Sequence, residues 1–184
     1  MKKIILAVSG IGKIQSAIAA SHLINNYNFD KIINIGIAGN IKGNIYQIGD
    51  VFLPEKIIQA DIYLPFEWTH LDYAKKSIEL NSLDAIKDEK FEFNVWDKTV
   101  CVSQDIFVDN KKLIDQLQTN YQADICEMES FAIASVLREY SILDKLIVVK
   151  SISDWANSFA IDDHMDNLEL AMINGIKVLE SIIW

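Results

Sequence analysis

Three carboxylates lie where this chain is best placed to do chemistry. Glu127 and Glu129 stand at the start of a helical pattern, and Asp154 directly follows the apolar run that ends at Ser153. Open α/β sheets bind their ligands at the carboxyl ends of strands. A partly shielded carboxylic acid at such an end can stay protonated near neutral pH and act as a general acid. The pattern therefore predicts Asp154 as a catalytic acid.

Ordinary structural roles also account for these carboxylates. Aspartate is a common helix N-cap residue, which is the alternative role for Asp154. Glu127 and Glu129 could be first-turn acids, which are favoured at the positive end of a helix. Helical residues this close in sequence point in different directions, so we expect at most one of the two to face a pocket directly.

Two glycine-rich segments follow apolar stretches that predict strands. Ser9–Lys13 separates a predicted strand at Lys3–Val8 from a helical pattern at Lys13–Leu23, and backbone N–H groups there can hold an anion. It has neither the dinucleotide-binding fingerprint nor P-loop spacing. Gly36–Gly39 closes a predicted strand at Lys31–Ile35 and lets backbone approach a ligand. A tight turn is the alternative for each, but the ends of parallel strands meet at one edge, which favours a shared site.

The alternation of strands and helices predicts one α/β domain over residues 1–184. We expect a three-layer sandwich in which a central mixed, twisted sheet carries helices on both faces, with Lys3–Val8 and Lys31–Ile35 as parallel neighbours. The remaining predicted elements are a bent or interrupted strand at Ile48–Ala60, a helix near Leu71–Leu80, a strand at Thr99–Ser103, a helix at Lys111–Leu117, a helix at Glu127–Tyr140, a strand at Leu146–Ile152 and a helix at Asp166–Ile183.

The composition excludes several classes of function. A formal charge of −9 and a single arginine, Arg138, argue against nucleic-acid binding, which needs clustered basic residues. The short apolar run after Met1 is broken too soon for a secretory signal, and no apolar segment is long enough to span a bilayer, so we expect a cytoplasmic protein. Cys101 and Cys126 are expected to be buried thiols. The histidines lack metal-ligand spacing, so we expect neither metal nor cofactor.

Six short motifs in fixed order resemble the purine nucleoside phosphorylase and nucleosidase superfamily, most closely the methylthioadenosine/adenosylhomocysteine nucleosidases. Together they cover roughly residues 3–60 and 99–157. The motifs are Ser9–Lys13, Asn34–Gly39, Ile48–Val51, Ser103–Val108, Glu127–Ala132 and Ile152–Asp154. The fold implied is that of the superfamily, here without its usual first strand.

The resemblance implies a role for each candidate residue. Asp154 would donate a proton toward N7 of a purine, and Ser153 would position Asp154 or the nucleophile. Glu129, with Met128 beside it, would accept hydrogen bonds from the ribose hydroxyls. The substrate-binding residues implied are Ile37, Ala38, Gly39, Phe107, Val108, Glu127, Met128 and Glu129, of which Phe107 would stack on the base and the Val108 backbone would meet its edge.

The implied activity is hydrolysis of a purine nucleoside such as methylthioadenosine, S-adenosylhomocysteine or a futalosine-type nucleoside, in a homodimer whose segment near Pro65 and Phe66 reaches the neighbouring site. Related phosphorylases hold phosphate with arginines, one of them at the position of Asn34, so water is the preferred acceptor. Ile37 replaces an expected serine, and the family's upstream glutamate has no counterpart here. A phosphorylase and a catalytically silent nucleoside-binding module are therefore the alternatives, with Lys13 and Lys150 as candidate phosphate ligands.

Overall fold

The computed structural model describes residues 3–62, 76–81 and 90–183. Within them, helices and strands alternate as expected. The helices are α1 (Lys13–Asn26), α2 (Lys111–Tyr121), α3 (Ser130–Glu139) and α4 (Ala160–Ile183). The strands are β1 (Ile32–Asn40), β2 (Val51–Gln59), β3 (Ser77–Glu79), β4 (Val95–Ser103), β5 (Ile125–Glu127) and β6 (Leu146–Asp154). Short 3₁₀ turns lie at Gly43–Ile45 and Leu143–Lys145.

The strands form one mixed sheet in the order β3-β2-β4-β5-β1-β6. The pairs β1–β6, β2–β4 and β4–β5 are parallel, whereas β1–β5 and β2–β3 are antiparallel. Val51 and Phe52 of β2 also pair with β6, so the sheet curves until strands from its two sides meet. The expected mixed sheet is confirmed, and its curvature brings the ends of β1, β4, β5 and β6 together.

Side chains of β6 alternate between two layers of helices. Leu146 and Val148 pack in a cluster with Leu137 of α3, whereas Val149 packs in another cluster with Val178 of α4. Successive side chains of a strand point to opposite faces, so a strand covered on both faces is mostly apolar, as the run Leu146–Val149 is. All nine residues of β6 are buried. The predicted arrangement of helices on both faces of the sheet is thereby confirmed.

The glycine segment Gly36–Gly39, expected to form a turn, lies inside β1 instead. A Cβ added to Gly36 would stand 3.1 Å from Nζ of Lys150, and one added to Gly39 would stand 2.9 Å from Oδ1 of Asp154. Both partners lie opposite these glycines on β6. The glycines therefore make room for two polar side chains that cross the neighbouring strand, so the prediction of a turn is wrong.

The predicted strand at Lys3–Val8 is also wrong, because this segment joins no described strand. Leu6 is 87% exposed and Val8 is 95% exposed. An extended segment becomes a strand only when its backbone groups pair with a neighbour. Its expected parallel neighbour, β1, pairs along its length with β6 and, at Gly39 and Asn40 alone, with β5.

Two predicted helices also need correction. The helix expected from Glu127 begins at Ser130, because Glu127 ends β5 and its carboxylate accepts hydrogen bonds from the backbone N–H groups of Glu129 and Ser130. Of the helix expected near 71–80, Ser77–Glu79 forms β3 against β2, while residues 71–75 lie outside the described part of the chain.

The other expected elements occur with shifted ends. The strand expected at Ile48–Ala60 is the single strand β2, whose register against β4 shifts around Pro54, a residue that cannot donate to the ladder. The final helix begins at Ala160, earlier than expected.

Among the residues that the structure describes, no helix combines the length and apolarity needed to cross a bilayer.

The helical layer over β6 predicts a large cost for truncating Leu137, which is fully buried. Leu137→Ala should lower the free energy of unfolding by about 2–5 kcal/mol, since it removes apolar contacts and leaves a cavity. Leu168→Ala on α4, where the leucine is 39% exposed, is the matched control and should cost clearly less. Urea denaturation of both variants measures the difference, and equal losses would contradict this packing.

Candidate active site

A local irregularity in β6 sets the position of Asp154. Ile152 pairs with Ala38 and Asp154 pairs with Gly39, so the register skips Ser153. Such a bulge re-aims the side chains around it and is common beside active sites. The neighbouring residues of β1 are Ile37, half-buried, and Ala38 and Gly39, both buried. The predicted residues Ile37, Ala38, Gly39, Ser153 and Asp154 therefore meet at one end of the β1–β6 pair.

Asp154 is buried, with 3% of its surface exposed. Its carboxylate accepts hydrogen bonds from the Ser153 hydroxyl at 2.8 Å and from the Ala156 backbone N–H at 2.9 Å. Burial raises the pKa of Asp154, and these two hydrogen bonds and the nearby His164 offset only part of the effect. The hydrogen-bonded amide lies in the loop before α4, so Asp154 is not that helix's cap. A raised pKa is the property that a general acid needs.

Glu129 lies at the amino end of α3 and reaches the glycine segment before α1. Its Oε1 accepts a hydrogen bond from the Gly12 backbone N–H at 3.0 Å. The next amide, of Lys13, donates to Oδ1 of Asp105 at 2.8 Å. The start of α1 does hold anionic groups, as its free N–H groups suggest, and the anions are carboxylates of the chain itself. These bonds fix the Glu129 side chain, which is 18% exposed.

Glu127 and Lys150 form an ion pair that is almost completely buried. Lys150 Nζ lies 2.8 Å from Oε2 of Glu127 and 3.5 Å from Oε2 of Glu129. Burial opposes ionisation of Glu127, but the charge of Lys150 and hydrogen bonds from Lys150 and Ser103 outweigh it and lower the pKa of Glu127. Burial also opposes the charge of Lys150, yet the two glutamates raise its pKa. Both groups are therefore charged at neutral pH.

The Glu127 carboxylate links this pair to the surrounding strands. Besides the amides at the start of α3, it accepts hydrogen bonds from the hydroxyls of Ser103 and Ser130. The Ser130 hydroxyl also lies 2.8 Å from Oδ1 of Asn34, and the Ser103 hydroxyl accepts from the Phe131 backbone N–H. Glu127 thus holds the start of α3, and with it Glu129, in place. Met128, between the two glutamates, is half-buried.

Phe107 and Val108 follow β4 on the same side of the molecule. Val108 is buried, while Phe107 is 41% exposed and stands edge-on to the ring of His164, with 5.9 Å between ring centres. A cavity of about 300 Å³ opens beside them, lined by Phe107, Asp109, Ile161, His164 and Met165. A wider depression of about 520 Å³ runs along α2, but it contains none of the predicted site residues. Phe107 is the predicted site residue that lines the smaller cavity, and His164, also in its lining, connects it to Asp154.

Sequence reasoning gave no firm role in this site to four of its contributors. Lys150 had only a conditional role as a phosphate ligand, because a lysine inside an apolar run gives no hint of which carboxylates it meets. His164 lies ten positions after Asp154, but only the fold of the intervening loop brings them together. Asp105 and Ser103 flank the end of β4, a location that could have marked them.

The described residues contain no cluster of His, Cys, Asp and Glu that could hold a metal ion. Cys101 and Cys126 are both buried free thiols, as expected. Burial raises the pKa of the Cys126 thiol, and the nearby Asp154 and Glu127 raise it further. It is therefore a poor nucleophile.

Residues 1–183 match the family model of the phosphorylase superfamily. The chain belongs to the phosphorylase superfamily. It is similar to the 5'-methylthioadenosine/S-adenosylhomocysteine nucleosidase of Buchnera aphidicola subsp. Acyrthosiphon pisum (strain Tuc7), with 31% identity over 98% of this chain and 79% of the relative. The nucleosidase of Staphylococcus saprophyticus is 30% identical over 99% of this chain and 82% of the relative.

Solved structures of the superfamily share the fold. The Neisseria meningitidis nucleosidase in complex with methylthio-immucillin-A superposes with a TM-score of 0.84 at 22% identity, over 96% of this chain and 78% of that one. The futalosine hydrolase of Helicobacter pylori gives 0.84 at 22% identity, over 95% of this chain and 76% of that one. The predicted family, its closeness to the nucleosidases and the predicted fold class are confirmed.

The buried ion pair predicts strong energetic coupling between Glu127 and Lys150. Lys150→Met leaves a buried carboxylate without its counter-charge and should cost about 3–5 kcal/mol of unfolding free energy. Glu127→Gln leaves the ammonium with the more distant Glu129 carboxylate and should cost less than Lys150→Met. The double variant should cost clearly less than the sum of the two. Urea denaturation of all four proteins measures the coupling, and additive losses would show that the pair does not interact.

The raised pKa of Asp154 predicts a pH-dependent gain in stability for Asp154→Asn. Between the unfolded pKa, about 3.9, and the higher folded pKa, the folded protein binds more protons, so its stability falls as pH rises. Asparagine removes this penalty. The variant should therefore gain stability over the wild type from pH 4 to pH 7, as measured by denaturant titration at each pH. A stability difference between variant and wild type that stays constant with pH would show that folding does not raise the pKa of Asp154.

Proposed function

We propose that this chain hydrolyses the N-glycosidic bond of purine nucleosides and releases the free base and a ribose derivative. The observation that carries the proposal is Asp154, a buried acid with a raised pKa, on the same strand as Lys150, which contacts Glu129. The 30–31% identity to 5'-methylthioadenosine/S-adenosylhomocysteine nucleosidases supports it. We propose residues 1–184 as the single domain that carries this activity.

Asp154 supplies the proton that makes the base a good leaving group. A purine leaves as a neutral molecule when N7 is protonated as the C1'–N9 bond breaks. General acid catalysis of this kind contributes typically about 10²–10⁴-fold. Ser153 holds the carboxyl group through its hydroxyl. Phe107, exposed at the cavity, offers a flat face for the base, and the Val108 backbone meets the edge of the ring.

Glu129 binds the sugar and stabilises the charge that develops on it. As the base leaves, positive charge grows on the ribose ring, and a fixed carboxylate nearby lowers the energy of that state. Glu127 and Lys150 neutralise each other, so Glu129 gives this part of the site one net negative charge. Asp154 lies four residue steps along β6 from Lys150, roughly 13 Å, a span that a ribose and a purine together can bridge.

Water is the acceptor that these charges favour over phosphate. A phosphorylase must hold a dianion beside the ribose, usually with cationic side chains. Lys150 is already paired with Glu127 and Glu129, and Lys13 is paired with Asp61. Asn34, at the position where related phosphorylases carry an arginine, is a neutral amide whose side chain lies 2.8 Å from the Ser130 hydroxyl. A net negative ribose site repels phosphate but tolerates a neutral water molecule.

Methylthioadenosine, S-adenosylhomocysteine and futalosine-type nucleosides are the substrates we propose, because the relatives and structural neighbours are nucleosidases and futalosine hydrolase.

We also propose a cytoplasmic homodimer. Ile11, Ile14 and Ile18 around the start of α1 are each more than half exposed, which gives an apolar surface suited to a second copy. The segment near Pro65 and Phe66, expected to reach the neighbouring site, lies outside the described residues.

Base release from purified protein tests the activity. Wild-type protein should release base from methylthioadenosine, S-adenosylhomocysteine, adenosine or futalosine at the same rate with and without phosphate. Release that requires phosphate would identify a phosphorylase instead. Tight nucleoside binding without release would identify a silent binding module. Chromatographic quantification of free adenine, hypoxanthine or other base distinguishes the three outcomes.

Asp154→Asn should lower kcat by at least about 10²-fold, because asparagine cannot donate the proton. Asp162→Asn is the matched control, since Asp162 is an exposed acid in the first turn of α4, and it should keep the wild-type rate. Both variants are assayed for base release under saturating substrate. Near-wild-type turnover by Asp154→Asn would contradict the role of Asp154 as the general acid.

A further inference from the structure

Each turnover leaves Asp154 without its proton, and the buried site limits how that proton returns. The Asp154 side chain is only 4% exposed. Once it has protonated the departing base, a bound product covers the remaining opening. Proton transfer between a buried carboxylate and solvent needs a hydrogen-bonded path. Asp154 must therefore have a neighbour that contacts both it and water.

His164 of α4 meets both conditions. Its Nδ1 lies 3.3 Å from the Ser153 hydroxyl oxygen and 3.7 Å from Oδ2 of Asp154. The His164 side chain is 29% exposed and lines the cavity beside Phe107. The imidazole thus bridges the buried acid and the open cavity, and no residue role implied by the resemblance or by the catalytic scheme includes it.

The hydroxyl of Ser153 gives this contact a direction. A serine hydroxyl has one hydrogen to donate, and Ser153 donates it to Oδ2 of Asp154 at 2.8 Å. In the ionised state of Asp154 that follows base departure, the carboxylate can only accept, so a hydrogen carried on Nδ1 of His164 points to the Ser153 oxygen. The hydrogen bonds run from His164 through Ser153 to Asp154, which is the direction that carries a proton inward.

Acidic side chains face His164 from several elements. Asp154 faces it from β6, and Asp109 lines the same cavity from the loop before α2. Cys126 of β5 stands on the far side of Asp154 as a neutral thiol. On α4 itself, the neighbouring acids are Asp162 and Asp163. Histidine is the side chain whose charge changes most readily between pH 5 and 8.

We propose that His164 and Ser153 form a relay that returns a proton from solvent to Asp154 after each base departure. The proposal rests on the nucleosidase function proposed above. The imidazolium gives its Nδ1 proton to the Ser153 oxygen as the Ser153 hydrogen passes to Asp154, which restores the acid and leaves neutral imidazole. Water then reprotonates the imidazole. Attack of water on the ribosyl cation releases one proton to solvent, so the cycle balances. His164 is a positioning and relay residue, because it acts on the substrate through Asp154.

Replacement of His164 tests the relay through its pH dependence. His164→Gln keeps a polar side chain that cannot carry a proton, so kcat should fall about tenfold or more, with KM nearly unchanged and a larger loss as pH rises. His22→Gln, which alters an exposed histidine on α1, is the matched control and should match the wild type at every pH.

Chemical rescue separates a relay from a structural role. His164→Ala opens space beside Ser153, and added imidazole buffer should raise its kcat in proportion to concentration while leaving the wild type and Asp154→Asn unchanged. A His164→Gln enzyme with the wild-type pH profile, or a His164→Ala enzyme that imidazole does not accelerate, would overturn the relay while the wild-type base release still supports the nucleosidase. Absence of base release by the wild type itself would overturn both proposals.

Discussion

The buried contact between Lys150 and Glu127 is the interaction on which the rest of the site depends. Each charge is unfavourable in the interior by itself, so the two side chains must meet with nearly ideal geometry. That requirement explains the glycine opposite Lys150 on β1, where a Cβ would lie 3.1 Å from Nζ. It also explains why Glu127 ends β5 rather than beginning a helix, since its carboxylate binds the first amides of α3. Glu129 takes its position from both partners.

The same strand carries two polar side chains in opposite electrostatic states. Lys150 keeps its charge because two glutamates surround it, whereas Asp154 lacks a strong counter-charge and burial favours its neutral form. The proposed reaction uses this contrast, with Asp154 as the proton donor at the base and Glu129 as the fixed negative charge at the sugar. The bulge at Ser153 and the glycines of β1 make room for both Lys150 and Asp154 on this one strand.

Much of this arrangement followed from residue patterns, and the errors have identifiable physical causes. Carboxylates after apolar strands predicted a site at one end of the sheet, and Asp154 and Glu129 do lie there. Gly36–Gly39 suggested a turn because glycine marks turns, but its actual role is to accommodate side chains from a strand more than a hundred residues away. Lys3–Val8 has the composition of a buried strand, yet it pairs with no described strand, because local composition does not encode which distant backbone groups meet.

The sequence by itself determined the alternation of helices and strands, the acidic and arginine-poor character, and the ordered motifs that mark the superfamily, because these are properties of local runs of residues. Only the tertiary structure decided which charges meet. Lys150 with Glu127, Gly12 with Glu129, and His164 with Ser153 are contacts between distant segments, and their electrostatic effect depends on distance and burial. Protonation states, and with them the chemistry of the site, therefore emerge only after the chain has folded.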